Sequence, residues 1–93
     1  MIKVVQSKSN DPMLFNVIVQ EDSNETHHQV TMSNETYEDL TGGRVNPGRC
    51  IEAAFEFLLE REPKESILSS FDVTVISRYF PSFTSEFGNY ISP

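Results

Sequence analysis

Positive charge is scarce in this chain: its 93 residues carry seven Lys or Arg against fourteen Asp or Glu, a formal net charge of −7. A field of that sign repels nucleic-acid phosphates and anionic lipid, so the partners it favours are proteins. Cysteine is nearly missing too. Cys50 stands alone, which excludes an intrachain disulfide, a disulfide scaffold and a four-cysteine zinc site, and suits a reducing compartment. No stretch approaches the roughly 20 apolar residues that span a bilayer, and Met1 to Asn10 holds no run resembling a secretory apolar core. The expectation is a cytoplasmic protein with no membrane partner. In that compartment the sequons Asn24-Glu25-Thr26 and Asn34-Glu35-Thr36 stay unused.

What is present suffices for one folded domain over residues 1–93. Hydrophobic content of 38% with 11% aromatics supplies a core, and a charged fraction of 23% is ordinary for a globular chain. From Ile2 to Ser33 the apolar residues recur every second position. Phe15, Val17 and Val19 would share one strand face with Asn16, Ile18 and Gln20 on the other, and His28, Val30 and Met32 alternate with His27, Gln29 and Thr31. The clusters Ser9-Asn10-Asp11-Pro12 and Asp22-Ser23-Asn24-Glu25 favour turns between such runs. Residues 1–33 therefore read as an antiparallel hairpin or three-stranded meander.

The period then changes. Ser33 offers an N-cap to a short helix bearing Tyr37 and Leu40, and Gly42-Gly43 stops it. Asn46 as cap and Pro47 as first residue start a stronger helix, expected to run to Glu62 before Pro63. Ile51, Ala54, Phe55, Leu58 and Leu59 form its apolar stripe, while Glu52, Glu56 and Glu60 repeat on the solvated side. Phe57 lies off that stripe, and fits either a wider core or a contact surface. A further helical turn is expected around Lys64 to Leu68. Segment 71–80 admits two readings, since Phe71, Val73 and Val75 alternate like a strand whereas Asp72, Val73, Ile76 and Phe80 space like a capped helix. The helix is favoured because Asp72 supplies a cap and Pro81 a stop. Residues 34–80 are thus assigned to a helical part and 81–93 to an irregular tail rich in aromatics.

The fold class that results is α+β: an N-terminal β meander packed on an amphipathic helix, with short helices behind it. Phe80, at the end of the helical part, and Phe83, Phe87 and Tyr90 in the tail are the candidate interaction residues, because exposed rings invite association. Packing on the tail's own domain is the alternative to a protein partner or a second copy of the chain.

Chemical constellations are sparse. His27-His28 would point to opposite faces of a strand, so the pair cannot ligate one ion together. Cys50 sits in the early turn of a helix beside Arg49, a setting that favours thiolate, but it lacks a base nearby in sequence. Gly42-Gly43 lacks the further glycines and lysine of a phosphate loop. No cofactor, metal or catalytic set is assigned.

Two resemblances add to this. Strand His27–Ser33, helix Asn34–Leu40, turn Thr41–Asn46 and helix Pro47–Glu62 resemble in order the ribbon-helix-helix repressors, DNA-binding regulators whose dimer-paired strands enter the major groove. That resemblance implies base contacts from His27, Gln29 and Thr31, and phosphate contact near Pro47, Gly48 and Arg49. The run from Phe55 to Leu68, with Phe71-Asp72 and Ile76-Ser77-Arg78-Tyr79-Phe80-Pro81, looks like small bacterial proteins without an assigned function. The function expected is a non-enzymatic protein-interaction or regulatory module, monomeric or homodimeric. A DNA-binding regulator and an enzyme of unrecognised type are the alternatives.

Overall fold

The structure, a computed structural model, describes residues 1–92. The period-two runs become three antiparallel strands, β1 (Ile2–Lys8), β2 (Met13–Glu21) and β3 (Asn24–Met32). Their register sets Phe15 opposite Val30 and Val17 opposite His28, which puts Met13, Phe15, Val17 and Val19 of β2 on one face and leaves Leu14 and Ile18 half-buried on the other. Met13, Phe15, Val17 and Val19 are buried there, and Asn16 and Gln20 are exposed behind them. The β2–β3 hairpin turns through Asp22 at φ 55°, a left-handed conformation that aspartate tolerates better than most residues. β1 forms an outer edge of the sheet. A register shift between Gln6 and Lys8, with lysines at positions 3 and 8, blunts it against pairing with another chain.

Helix α1 (Asn34–Thr41) starts where Ser33 accepts the Thr36 N–H at 3.0 Å, and the Asp11 carboxylate takes the Asn34 N–H at 3.0 Å. It stops at Gly42, whose φ of 60° needs no Cβ and whose N–H reaches the Glu38 carbonyl at 2.7 Å. In α2 (Pro47–Leu59) the Asn46 side chain caps the Arg49 N–H at 2.8 Å and Pro47 occupies the first turn, as the residue types require. The helix ends three residues before the expected Glu62. Arg61 and Glu62 both donate their N–H to the Leu58 carbonyl, at 3.0 and 2.9 Å, so the last turn tightens and unwinds ahead of Pro63.

α2 lies across the inner face of the sheet. Ile51, Ala54, Phe55 and Leu58 are buried as the stripe predicts, Leu59 is half-buried, and Cys50, Ala53 and Phe57 are buried as well. A helix buried on two sides has two neighbours, and the second is the C-terminal segment. Phe57 sits at its centre, with the rings of Phe83, Tyr90 and Phe80 at 4.9, 5.8 and 5.9 Å in edge-on arrangements.

Two expectations about this half of the chain need correction. Segment 34–80 is not wholly helical, because β4 (Ser70–Asp72) joins β3 in parallel and completes a sheet of order β1-β2-β3-β4. Both readings of 71–80 then hold in part: the strand is Ser70–Asp72, and helix α3 covers Thr74–Tyr79. Asp72 makes the switch. Its carboxylate accepts the Thr31 hydroxyl at 2.6 Å across the sheet and the Thr74 N–H and hydroxyl at 3.1 and 2.7 Å, ending one element and starting the next. The tail is likewise not irregular. It forms two single-turn helices, α4 (Phe83–Glu86) and α5 (Gly88–Ile91), because Phe83, Phe87 and Ile91 recur at helical spacing and are buried. Its last residue, position 93, lies outside the described residues.

Candidate functional site

The residues that carry chemistry are dispersed. His27 is exposed on the outer face of β3 with Nε2 2.6 Å from the Glu25 carboxylate. His28, on the inner face, is buried against the Phe55 ring at 5.3 Å. Its Nδ1 donates to the Leu68 carbonyl at 2.7 Å and its Nε2 meets the Thr26 hydroxyl at 2.8 Å, so both nitrogens are occupied. The Cys50 sulfur contacts the Met32 sulfur at 3.6 Å, and burial pushes its thiol pKa up to about 12. A protonated thiol in an apolar setting is a poor nucleophile; His28 has no free nitrogen to serve as its base, and His27 is exposed on the opposite face of β3. Among the described residues no group of three or more His, Cys, Asp or Glu side chains is placed to hold a metal ion.

The residues of a DNA-reading ribbon fare no better as a set. His27, Gln29 and Thr31 do share the outer face of β3, but β2 pairs along one edge of that strand and β4 along the other at Gln29–Thr31, so neither edge is free there for pairing across a dimer axis. Arg49 is occupied as well. Its guanidinium binds Glu52 at 2.8 Å, Glu56 at 3.2 Å and the Tyr90 carbonyl at 2.8 Å, and the Glu56 carboxylate foremost holds its pKa above the usual value. That cation serves to fasten α5 to the first turns of α2.

The tail aromatics separate into two groups. Phe83 and Phe87 are buried, stacked edge-on at 5.2 Å, and present nothing to a partner. Phe80 and Tyr90 are half-buried. Tyr90 is held by polar contacts: its hydroxyl donates to Glu60 and receives Arg61 Nη1 at 3.3 Å. The Glu60 carboxylate raises the Tyr90 pKa, since ionising the phenol would break the hydrogen bond it donates there and set two like charges together. Arg61 in turn covers the Phe57 ring at 3.6 Å and pairs with Glu86 at 2.6 Å, closing the cluster from the solvent side.

A mainly apolar groove of about 360 Å³ lies between the end of α2, the 66–68 segment, β4 and α3. Leu58, Ile67 and Ile76 form its buried floor. Phe71, Val75 and Phe80 are half-buried walls, and Leu68 and Tyr79 stand at the rim, 48% and 67% exposed. Those two are among four large hydrophobic side chains exposed in the described residues, and the others, Met1 and Val5, lie on β1 and its end. Glu62 is the groove's one acid. It is half-buried, and among the described residues its carboxylate has no ion pair or side-chain hydrogen bond.

The groove's rim is built by its neighbours. The His28 hydrogen bond fixes the Leu68 carbonyl, and the sheet pairing of Ser70–Asp72 sets Phe71 facing inward at 6.1 Å from Phe55. Just upstream, Lys64 bridges Glu65 at 2.7 Å and Glu21 at 3.8 Å, tying the 3-10 turn Lys64–Ser66 to the hairpin; the Glu65 carboxylate raises the lysine pKa and is lowered in return. Of the groove residues only Phe80 was a sequence candidate. Ile67-Leu68 was the legible signal for the rest, because two adjacent apolar side chains leaving a tight turn cannot both turn inward. Compared with family models, with curated proteins and with solved structures, the chain matches none.

Proposed function

We propose that this protein is a non-enzymatic interaction module that holds an apolar segment of a protein partner in the groove between α2 and α3. The observation that carries the reading is the grouping of Leu68, Tyr79, Val75 and Phe71 around one concavity, in a fold whose phenylalanines outside it are buried. Large apolar side chains clustered at a concave surface mark contact sites, whereas single ones scattered on a surface do not. The setting is a cytoplasmic, bacterial one, in keeping with the reduced, buried Cys50 and the likeness of residues 55–81 to small bacterial proteins.

The test places a photo-crosslinking residue at position 68 and, separately, at exposed position 6 on β1, in the host cell. The reading expects a discrete adduct from position 68 alone, abolished by Val75→Glu, and a purified partner that binds the wild-type chain with saturable affinity. Adducts that are equal from both positions, or that persist in Val75→Glu, would remove it.

A further inference from the structure

We infer that the groove's occupant is a basic amphipathic segment of another protein, its apolar side chains seated between Leu68 and Tyr79 and a Lys or Arg paired with Glu62. The inference rests on the interaction reading above and adds the partner's chemistry to it.

Charge complementarity carries the argument. Glu62 is a half-buried carboxylate at the mouth of an apolar concavity, and no cation of the described chain neutralises it. The cations nearest in sequence are committed elsewhere: Arg61 to Glu86 and the Phe57 ring, and Lys64 to Glu65 and Glu21. Covering the groove removes water from the Glu62 carboxylate, a cost that a neutral or acidic occupant leaves uncompensated and a basic one offsets. The long-range field acts in the same direction, because a chain of net charge −7 accelerates encounter with cations and slows it with anions. The same field weighs against a second copy, since two chains of net charge −7 repel each other. The groove's size fits this occupant too. At about 360 Å³ it lies at the small end of ligand sites, room for a few side chains of a docked helix and not for an extended cofactor.

The test uses the intact chain and three synthetic helical peptides of about 14 residues, long enough to hold a helical face on docking. One has Leu at helical spacing with Lys between, one the same Leu with Glu, and one Lys with Ala replacing Leu; each bears a single Trp. The protein has no Trp, so binding is read directly from peptide fluorescence. The Leu–Lys peptide is expected to bind saturably and more weakly as salt rises, with the other two at least tenfold weaker. Glu62→Gln is expected to weaken it about threefold, the scale of one partly exposed ion pair, while Glu38→Gln on α1, at the other end of α2, leaves it unchanged.

Equal weakening by Glu62→Gln and Glu38→Gln would mean binding to the general field and would overturn the inference. Tighter binding of the Leu–Glu peptide, abolished by Val75→Glu, would overturn the partner's charge and leave the interaction reading standing. Indifference of every peptide to Val75→Glu would defeat both. Concentration-dependent dimerisation of the wild-type chain, abolished by Val75→Glu, would assign the groove to a second copy and overturn the inference.

Discussion

Replacing Phe57 with Ala tests whether the C-terminal segment packs on α2. The ring is fully buried at the hub of an aromatic cluster, with three partner rings between 4.9 and 5.9 Å and the Arg61 guanidinium 3.6 Å from its centre. Phe-to-Ala changes at such sites cost about 3–5 kcal/mol, the removed transfer energy plus the cavity left behind. Edge-on aromatic pairs add about 0.5–1.5 kcal/mol each, so the upper half of that range applies here. Domains of this size are stable by about 5–14 kcal/mol, so the variant should lose a third or more of its stability. At about 5 °C per kcal/mol, the melting temperature should fall by about 20 °C. Tyr79→Ala is the matched control. Its ring is 67% exposed at the groove rim, and the stability change should stay within about 0.5 kcal/mol. Urea unfolding followed by circular dichroism gives both numbers from the midpoint and slope. A Phe57→Ala loss below about 1 kcal/mol, or a Tyr79→Ala loss as large as that of Phe57→Ala, would refute the docking of α4 and α5 on α2.

Three further outcomes follow from the polar and sulfur contacts. Cys50, with its thiol pKa pushed up to about 12 by burial, should resist a thiol reagent at about pH 8 in the folded chain and react in step with urea unfolding; rapid labelling without urea would contradict its placement. The Tyr90 pKa is raised in the folded chain, chiefly by Glu60, so its contribution to stability is complete below the free tyrosine value near 10. That contribution is lost as pH rises through the folded value, and Tyr90→Phe should therefore show a shallower alkaline fall in melting temperature than the wild type. His28→Ala should cost about 2–3 kcal/mol, because it strands the Leu68 carbonyl and empties space beside Phe55, and it should also weaken groove binding by releasing Leu68. A variant that binds normally would separate His28 from the groove.

The sheet and α2 were legible because each is written in a local period. Alternation over Met13–Glu21 and Asn24–Met32 fixes which side chains enter the core, and Ser33, Gly42, Asn46 and Pro47 mark helix ends by their own hydrogen bonding and torsions. What local period does not encode is the neighbour. Ser70–Asp72 is three residues long and becomes a strand only because β3 offers an edge and Asp72 can reach both Thr31 and Thr74. Phe57 lies off the stripe that faces the sheet, and its burial depends on Phe83 and Tyr90, about thirty residues later, returning to cover it.

That return also explains why the site differs from the aromatic tail the sequence points to. A short turn-rich segment can bury its rings by forming single helical turns that stack Phe83 and Phe87 against α2, and Arg49 and Arg61 then fasten it by reaching the Tyr90 carbonyl and Glu86. Once those rings are committed, the concavity left beside α2 is bounded by what the tail does not reach, namely Leu68, Phe71, Val75 and Tyr79. Exposure in this protein is therefore a remainder set by tertiary packing. The richest aromatic stretch of the sequence supplies the core, and the contact surface falls to the shorter elements just before it.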